Sequence, residues 1–254
     1  MASRPAAAPP EADGVSLAGR LVVLALAGAL ALAVPASPAG AAADLLPDLG
    51  MAPLTDLKIQ KTSDGRKLLR FSSIIVNVGE GPFELHGQRP DTDTPTMTTS
   101  QRIFDDESGH RDVPTDAVMY FGGDGHNHWH VRDLESFELT RLSKGSKVGT
   151  GAKHGFCFSD NYGSEQDPYY TGCGQAGDLQ VTMGLSVGWG DLYRYNLPDQ
   201  YIDITGLGRG RYRLEGTADA DNWFQESDET NNSTWVDLRI GHGRVKVLGY
   251  GPAA

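Results

Sequence analysis

The chain of 254 residues contains only two cysteines, Cys157 and Cys173, and no Cys-x2-Cys spacing. This excludes a zinc site built from paired thiolates. Basic residues are also few, since 22 lysines and arginines stand against 33 aspartates and glutamates, for a formal net charge of -11. An acidic surface disfavours binding to nucleic acid phosphates and attracts cationic ligands such as amines.

The sequence also lacks any stretch that sustains a helical repeat of 3.6 residues over several turns. Its apolar stretches are short, rich in β-branched and aromatic residues, and separated by glycine, proline, asparagine and aspartate. They lie at 69–78, 128–139, 201–207 and 234–240. This pattern predicts an all-β fold, a single-domain β-sandwich with long irregular loops, two of which are expected at 89–100 and 160–178.

An apolar run at 21–34 follows Arg4 and Arg20 and precedes small residues with Ala-x-Ala cleavage options. The run is shorter than the ~20 residues that a bilayer span needs. It predicts a secretory signal over residues 1–43, a secreted domain over 44–254 and no stable membrane anchor after processing. In an exported chain the two cysteines are expected to form a disulfide.

Three of the seven histidines, His126, His128 and His130, recur at every second position. This spacing places side chains on one face of a β-strand. Three neutral imidazoles suit Cu(II), Zn(II) or Ni(II) and leave coordination positions open for water, oxygen or substrate. The alternative is an exposed histidine-rich strand that binds no metal.

A second group of candidate ligands lies in the segment ESDETNN at 226–232. Glu226, Asp228, Asn231 and Asn232 offer oxygen donors, which calcium prefers. The segment is equally compatible with an acidic turn that is exposed to water.

Further motifs follow the histidines in order: GAKHGFCFSD (151–160), GLSVGWGDLYRY (184–195), YIDITGLGRGRYRLEG (201–216) and ESDETNN. With the histidine strand, they make the chain resemble the lysyl oxidase family over most of residues 44–254. The resemblance implies that the three histidines bind copper. It also implies a lysine tyrosylquinone cofactor formed by Lys153 and Tyr193, with Tyr195 as the neighbouring alternative.

The same resemblance implies a calcium ion held jointly by the acidic segment 226–232, Asp48 and the carbonyl oxygen of Leu49. The implied activity is the oxidation of primary amines, either small alkylamines or peptidyl lysine, by O2. The products would be an aldehyde, ammonia and hydrogen peroxide. Asp133 and Asp191 are both candidates for the catalytic base, because each could lie near the metal and the quinone ring.

Two other functions remain compatible with the residues. One is a secreted, non-catalytic metal-binding β-sandwich that keeps the histidines but never forms the quinone. The other is a zinc hydrolase that uses the same histidines with Glu135 as its general base. Formation of the cross-link between Lys153 and Tyr193 separates the amine oxidase from both alternatives.

Overall fold

The computed structural model describes residues 42–122, 127–163 and 166–254, and all regular secondary structure within these ranges is β-strand. The all-β prediction is therefore confirmed. The strands are β1 (Asp44–Leu45), β2 (Leu49–Met51), β3 (Thr55–Lys61), β4 (Lys67–Asn77), β5 (Phe83–Gln88), β6 (Thr96–Asp105), β7 (His110–Phe121), β8 (Trp129–Arg132), β9 (Glu135–Arg141), β10 (Ser146–Thr150), β11 (Gly155–Phe156), β12 (Gln180–Leu185), β13 (Gly190–Tyr193), β14 (Tyr201–Asp203), β15 (Gly210–Ala218), β16 (Ser233–Gly241) and β17 (Arg244–Tyr250).

The strands form three antiparallel sheets. Sheet I has the order β11-β8-β7-β6-β5-β12, with β1 paired to β6. Sheet II has the order β10-β9-β15-β16-β17. Sheet III is built around β4, which pairs with β2 and β3 and with β13 and β14. The long strand β4 therefore fixes where β13, which carries two of the candidate site residues, lies in the fold.

Aromatic side chains from all three sheets meet in the apolar core. The rings of Phe71 in β4 and Phe137 in β9 lie edge to face with centroids 4.7 Å apart, which joins sheet III to sheet II. Phe156 in β11 and Tyr193 in β13 lie edge to face at 5.2 Å and join sheet I to sheet III. Such pairs add about 0.5–1.5 kcal/mol each to the gain from burial. The candidate site lies at the second of these contacts.

Two sequence predictions need correction. The stretch 128–139 forms two strands, β8 and β9, in different sheets, because Asp133 adopts a φ of 55° and turns the chain between them. Aspartate tolerates this left-handed conformation better than most residues. The predicted loop 89–100 becomes strand at Thr96, where buried Met97 and Thr99 alternate with more exposed neighbours. The loop predicted at 160–178 contains no strand among its described residues.

The predicted secretory signal lies almost wholly outside the described residues, so the domain boundary between residues 43 and 44 stays a prediction. Residues 41–254 group as one compact unit. No helix in the described part of the chain is long and apolar enough to cross a membrane.

Candidate active site

Two of the three candidate copper ligands lie side by side. His130 belongs to β8 and is buried, with an exposed fraction of 4%. His128 directly precedes β8, and the two imidazole centroids are 4.5 Å apart. His126 lies outside the described residues, and the described residues contain no group of three histidine, cysteine or acidic side chains arranged for a metal. Two neighbouring imidazoles fit the expected donor set of a copper ion.

A tyrosine ring and a glycine set the surroundings of His130. Tyr120 in β7 is the cross-strand partner of His130, and their rings stack with centroids 5.7 Å apart. Gly155 in β11 lies against both, since a Cβ atom at this position would come within 2.2 Å of the Tyr120 hydroxyl oxygen and 3.1 Å of the His130 ring. A side chain at Gly155 would therefore displace the Tyr120 ring that stacks on the candidate ligand.

The half-buried Lys153 is held by backbone hydrogen bonds on either side. The Ala152 amide donates to the Tyr201 carbonyl at 3.0 Å, and the Asp133 amide donates to the His154 carbonyl at 2.8 Å. The Lys153 amine lies 4.7 Å from the centroid of the Tyr193 ring. The fold thus brings together the lysine and the tyrosine that the sequence singled out, although 40 positions separate them.

Tyr193 is buried at the end of β13, where it pairs with Ser73 of β4. Its hydroxyl group donates a hydrogen bond of 3.1 Å to the carbonyl oxygen of Cys157. Cys157 is bonded to Cys173, so the predicted disulfide is confirmed. Burial, together with the neighbouring Asp191 carboxylate, holds the pKa of the Tyr193 hydroxyl well above its ordinary range. The ring is therefore an uncharged phenol at neutral pH.

Asp191, two residues before Tyr193, is almost fully buried. Burial raises the pKa of its carboxyl group to about 7, although contacts with Tyr193 and Asn161 and the positive charge of Lys153 act in the opposite direction. The Asn161 side-chain amide donates to Oδ1, and the Asn161 side-chain oxygen accepts from the Leu192 amide at 2.7 Å. Oδ2 accepts no hydrogen bond from the described residues. A carboxyl group with this pKa exchanges a proton near neutral pH.

Glu135 is a second buried carboxyl group in the same region. Its Oε2 atom accepts a hydrogen bond from Ser73 at 3.2 Å, and Ser73 accepts one from Gln200 at 3.1 Å. Burial raises the pKa of Glu135 to about 8 against the effects of Ser73 and Lys153, and the Asp191 charge raises it further. Oε1 accepts no hydrogen bond from the described residues. Two proton-holding carboxyl groups therefore interact electrostatically with Lys153.

Asp133, the other candidate base, has a different environment. It lies in the turn between β8 and β9, and its Oδ1 atom is 2.5 Å from His154 Nδ1. Both side chains reach solvent, with exposed fractions of 43% for Asp133 and 66% for His154. Asp133 is thus paired with His154 at the surface, whereas Asp191 is buried two residues from Tyr193, so Asp191 is the stronger candidate for the base.

Tyr195 lies in separate surroundings. Its ring is half-exposed, and the amine of Lys58 lies 3.4 Å above the ring centroid. Since Tyr193 is the ring next to Lys153, Tyr195 serves as a natural control for experiments on the pair.

A small cavity of about 130 Å³ borders His130 and Lys153. Tyr120 lines it on one side, and the segment 197–199 lines it on another. Arg70 holds this segment by donating to the carbonyl oxygens of Leu197 at 2.6 Å and Pro198 at 3.0 Å. The cavity places a bound molecule beside both the candidate metal ligand and the candidate cofactor lysine.

The acidic segment 226–232 contacts Asp48 and Leu49, as expected for a shared calcium site. Glu226 accepts hydrogen bonds from the Leu49 amide through Oε2 and from Asn232 through Oε1. Asp48 accepts one from Asn231 at 2.6 Å. We call Asp48, Leu49, Glu226, Asn231 and Asn232 the terminal clip.

The terminal clip contains atoms suited to a cation. Burial raises the pKa of Glu226 to about 8. The side-chain oxygens of Asn231 and Asn232 are buried and accept no hydrogen bond from the described residues. Asp228 stands apart, because it is exposed and accepts from Thr230 within its own turn. The structure thus brings together five of the six residues expected at the calcium site and leaves Asp228 apart, and the contact of Leu49 is made by its amide group.

The sequence indicates Glu135 only as a possible hydrolase base and does not point to Ser73, Asn161 or Gln200. The sequence does contain a signal for Glu135, because the residue lies on the same face of β9 as Phe137 and Leu139, which face the core. A carboxyl group on the apolar face of a strand indicates a buried polar interaction. Ser73 and Gln200 gave no comparable signal.

Comparison with known proteins gives a consistent result. The lysyl oxidase family model matches residues 113–249. Lysyl oxidase homolog 3B of Danio rerio is 30% identical over 182 residues, which cover 72% of this chain and 19% of that protein. Lysyl oxidase homolog 3 of Homo sapiens is 30% identical over 182 residues, covering 72% of this chain and 20% of that protein. The chain spans about a fifth of the length of these relatives. It belongs to the lysyl oxidase family.

Proposed function

We propose that this protein is a secreted, copper-dependent amine oxidase whose quinone cofactor forms from Lys153 and Tyr193. The observation that carries the proposal is the distance of 4.7 Å between the Lys153 amine and the Tyr193 ring centroid. A non-catalytic metal-binding domain would have no need for this juxtaposition. The membership of the lysyl oxidase family supports the same reading.

His128 and His130, together with His126, would hold the copper ion, and the cross-linked side chains of Lys153 and Tyr193 would form the quinone. Together they would supply a two-electron acceptor for the amine that O2 can reoxidise with release of hydrogen peroxide. The residues around them have to control protons and position the substrate.

Lys153 must be uncharged before its amine can form a bond to an oxidised tyrosine ring. Asp191 and Glu135 can accept its proton, since each has a buried oxygen that receives no hydrogen bond from the described residues. Their pKa values of about 7 and about 8 allow both to exchange protons near neutral pH. The two carboxyl groups thus prepare the lysine for the cross-link.

Asp191 would also remove the α-proton of the amine substrate. It lies two residues from Tyr193 on β13, whereas Asp133 is turned towards His154. General base catalysis contributes about 10²–10⁴-fold to the rate. Asp191→Asn should therefore lose amine oxidation, while Asp133→Asn should retain most of it; the reverse result would assign the base to Asp133.

The cavity beside Lys153 suits a primary amine that arrives as an ammonium ion. Asp199 lines this cavity, and the chain carries a net charge of -11. Both features raise the local concentration of a cationic substrate. The small volume favours a single alkylamine or the end of a lysine side chain, which would be converted to an aldehyde with release of ammonia.

The proposal can be tested with two tyrosine variants of the copper-loaded protein. Tyr193→Phe should bind copper but lose both the visible absorbance of the quinone and the amine-dependent production of peroxide. Tyr195→Phe should keep all three, because its ring lies beside Lys58. Amine oxidation by Tyr193→Phe at the wild-type rate would contradict the proposal and favour a function without the quinone.

A further inference from the structure

A second concave region, larger than the cavity beside Lys153, lies on sheet II and far from the histidines in sequence. It is an open groove of about 550 Å³ over the last three strands of that sheet. Five cationic side chains line it: Arg209, Arg211, Arg239, Arg244 and Lys246. We call this region the basic groove. All five are exposed, and such a cluster of cations is unusual on a chain whose net charge is -11.

The strand register aligns three of these cations in a row. Arg211 in β15 is the cross-strand partner of Arg239 in β16, and Arg239 is the partner of Lys246 in β17. Directly opposite side chains in an antiparallel pair have Cβ atoms about 4.5–5.5 Å apart, and like charges at this distance repel. The row therefore concentrates positive charge along one line across the sheet, which an anion would neutralise.

The same face of the sheet shows how such a charge is otherwise neutralised. Two residues along β15, Arg213 forms hydrogen bonds of 2.8 Å and 3.1 Å to its cross-strand partner Asp237. In contrast, none of the five cations of the basic groove forms an ion pair with a carboxylate in the described part of the chain. Their charges are available to a ligand.

A glycine lies beside a fourth cation of the basic groove, Arg209. Gly241, at the end of β16, faces the stem of Arg209, since a Cβ atom there would lie 3.4 Å from its Cγ atom. Arginine guanidinium groups bind carboxylate, sulfate and phosphate groups through two parallel hydrogen bonds. A row across three strands spans about 10 Å, because neighbouring strands are about 4.8 Å apart. This length suits several anionic groups on one molecule.

We propose that the basic groove binds an acidic polysaccharide, a linear polymer with carboxylate or sulfate groups. The open shape favours a polymer over a small enclosed anion. Nucleic acid fits less well, because the described residues that line the groove include no phenylalanine, tyrosine or tryptophan on which bases could stack. Binding here would fix the enzyme to a charged extracellular matrix and leave the amine site free.

The test measures binding of the copper-loaded protein to fluorescent oligogalacturonate and to dextran sulfate, with neutral dextran and single-stranded DNA as comparisons. Arg239→Ser combined with Lys246→Ser should weaken polysaccharide binding by about tenfold or more. The matched control is Lys61→Ser combined with Lys67→Ser, another exposed pair of cross-strand cations, on β3 and β4. This control should leave the affinity unchanged.

Binding of either acidic polysaccharide that weakens with salt and with the groove variant alone supports the proposal. Three outcomes overturn it: no acidic polysaccharide binding at low salt, equal loss in the two double variants, or tighter binding of single-stranded DNA than of either polysaccharide. Amine oxidation is measured separately, and the groove variant should retain it, so failure of this proposal is distinct from failure of the proposed activity.

Discussion

The hydroxyl group of Tyr193 donates a hydrogen bond of 3.1 Å to the carbonyl oxygen of Cys157, whose side chain is bonded to Cys173. The disulfide therefore fixes the loop that positions the candidate cofactor ring. Trp129, next to His130, also donates its backbone amide to the Cys173 carbonyl at 2.9 Å. A single covalent bond thus supports both the ring and the histidine strand.

The double variant Cys157→Ser with Cys173→Ser should lose about 3 kcal/mol of stability, the estimate for closing a loop of this size. It should also form the quinone more slowly after copper is added, because the Tyr193 ring loses its fixed support. Urea unfolding and the growth of visible absorbance measure the two effects. An unchanged rate of quinone formation would show that the loop does not position Tyr193.

Removal of one candidate histidine ligand should greatly weaken copper binding. His128→Ala and His130→Ala should each bind far less copper than the wild type after dialysis against a fixed free copper concentration. His154→Ala is the matched control, since its ring is exposed and pairs with Asp133. Full copper occupancy in His130→Ala would remove this histidine from the ligand set.

Glu135 should make the protein less stable as the pH rises. Burial raises its pKa from 4.5 to about 8, so the folded protein holds a proton that the unfolded chain releases above its ordinary pKa. Between these two values the folded state binds more protons, and the free energy of unfolding falls with increasing pH. The contribution is complete below pH 4.5 and is lost as the pH passes through about 8.

Glu135→Gln keeps the uncharged form at every pH, so its stability should fall less steeply over this range. Urea unfolding of the copper-free protein at a series of pH values measures the slope. Glu138→Gln is the control on the same strand, because Glu138 pairs with Lys147 at 2.8 Å and that contact lowers its pKa. The raised pKa of Glu135 is contradicted if the free energy of unfolding of Glu135→Gln and of the wild type changes with pH in parallel.

Calcium should stabilise the protein through the terminal clip. A concentration 100 times the dissociation constant adds about 2.7 kcal/mol. The effect should increase as the pH rises through about 8, where Glu226 loses its proton and can bind a cation. Thermal unfolding with calcium or with a chelator measures this stabilisation.

Asp48→Ala should remove the stabilisation by calcium. Asp221→Ala, which changes an exposed acidic residue, should keep it. Stabilisation by calcium that survives Asp48→Ala would contradict the site.

The sequence was sufficient for the fold class because short stretches rich in β-branched and aromatic residues, such as that of β4, are separated by turn-forming residues. It failed where tertiary structure decided the outcome. Asp133 divides a continuous strand pattern by adopting a positive φ, and no glycine marks this turn. The threonines of β6 resemble a polar loop, although Thr99 is buried between its neighbours in sheet I.

The sequence likewise predicts only part of the candidate site. The histidine spacing and the two cysteines are local patterns with a direct physical meaning. The proximity of Lys153 and Tyr193 depends on how sheets I and III pack, which no local rule gives, and it was anticipated only through the resemblance to lysyl oxidases. The buried pair of Glu135 and Asp191 required the structure, because both pKa values depend on burial and that of Glu135 also depends on the Asp191 charge.

The most direct test of the account is a peptide map of the copper-loaded protein after exposure to O2. Protease digestion and mass spectrometry should recover the Lys153 peptide joined to the Tyr193 peptide, with the mass change of an oxidised cross-link. The joined peptide should be absent from Tyr193→Phe and present in Tyr195→Phe. Amine oxidation by a protein whose Lys153 and Tyr193 peptides are recovered separate and unmodified would contradict the account.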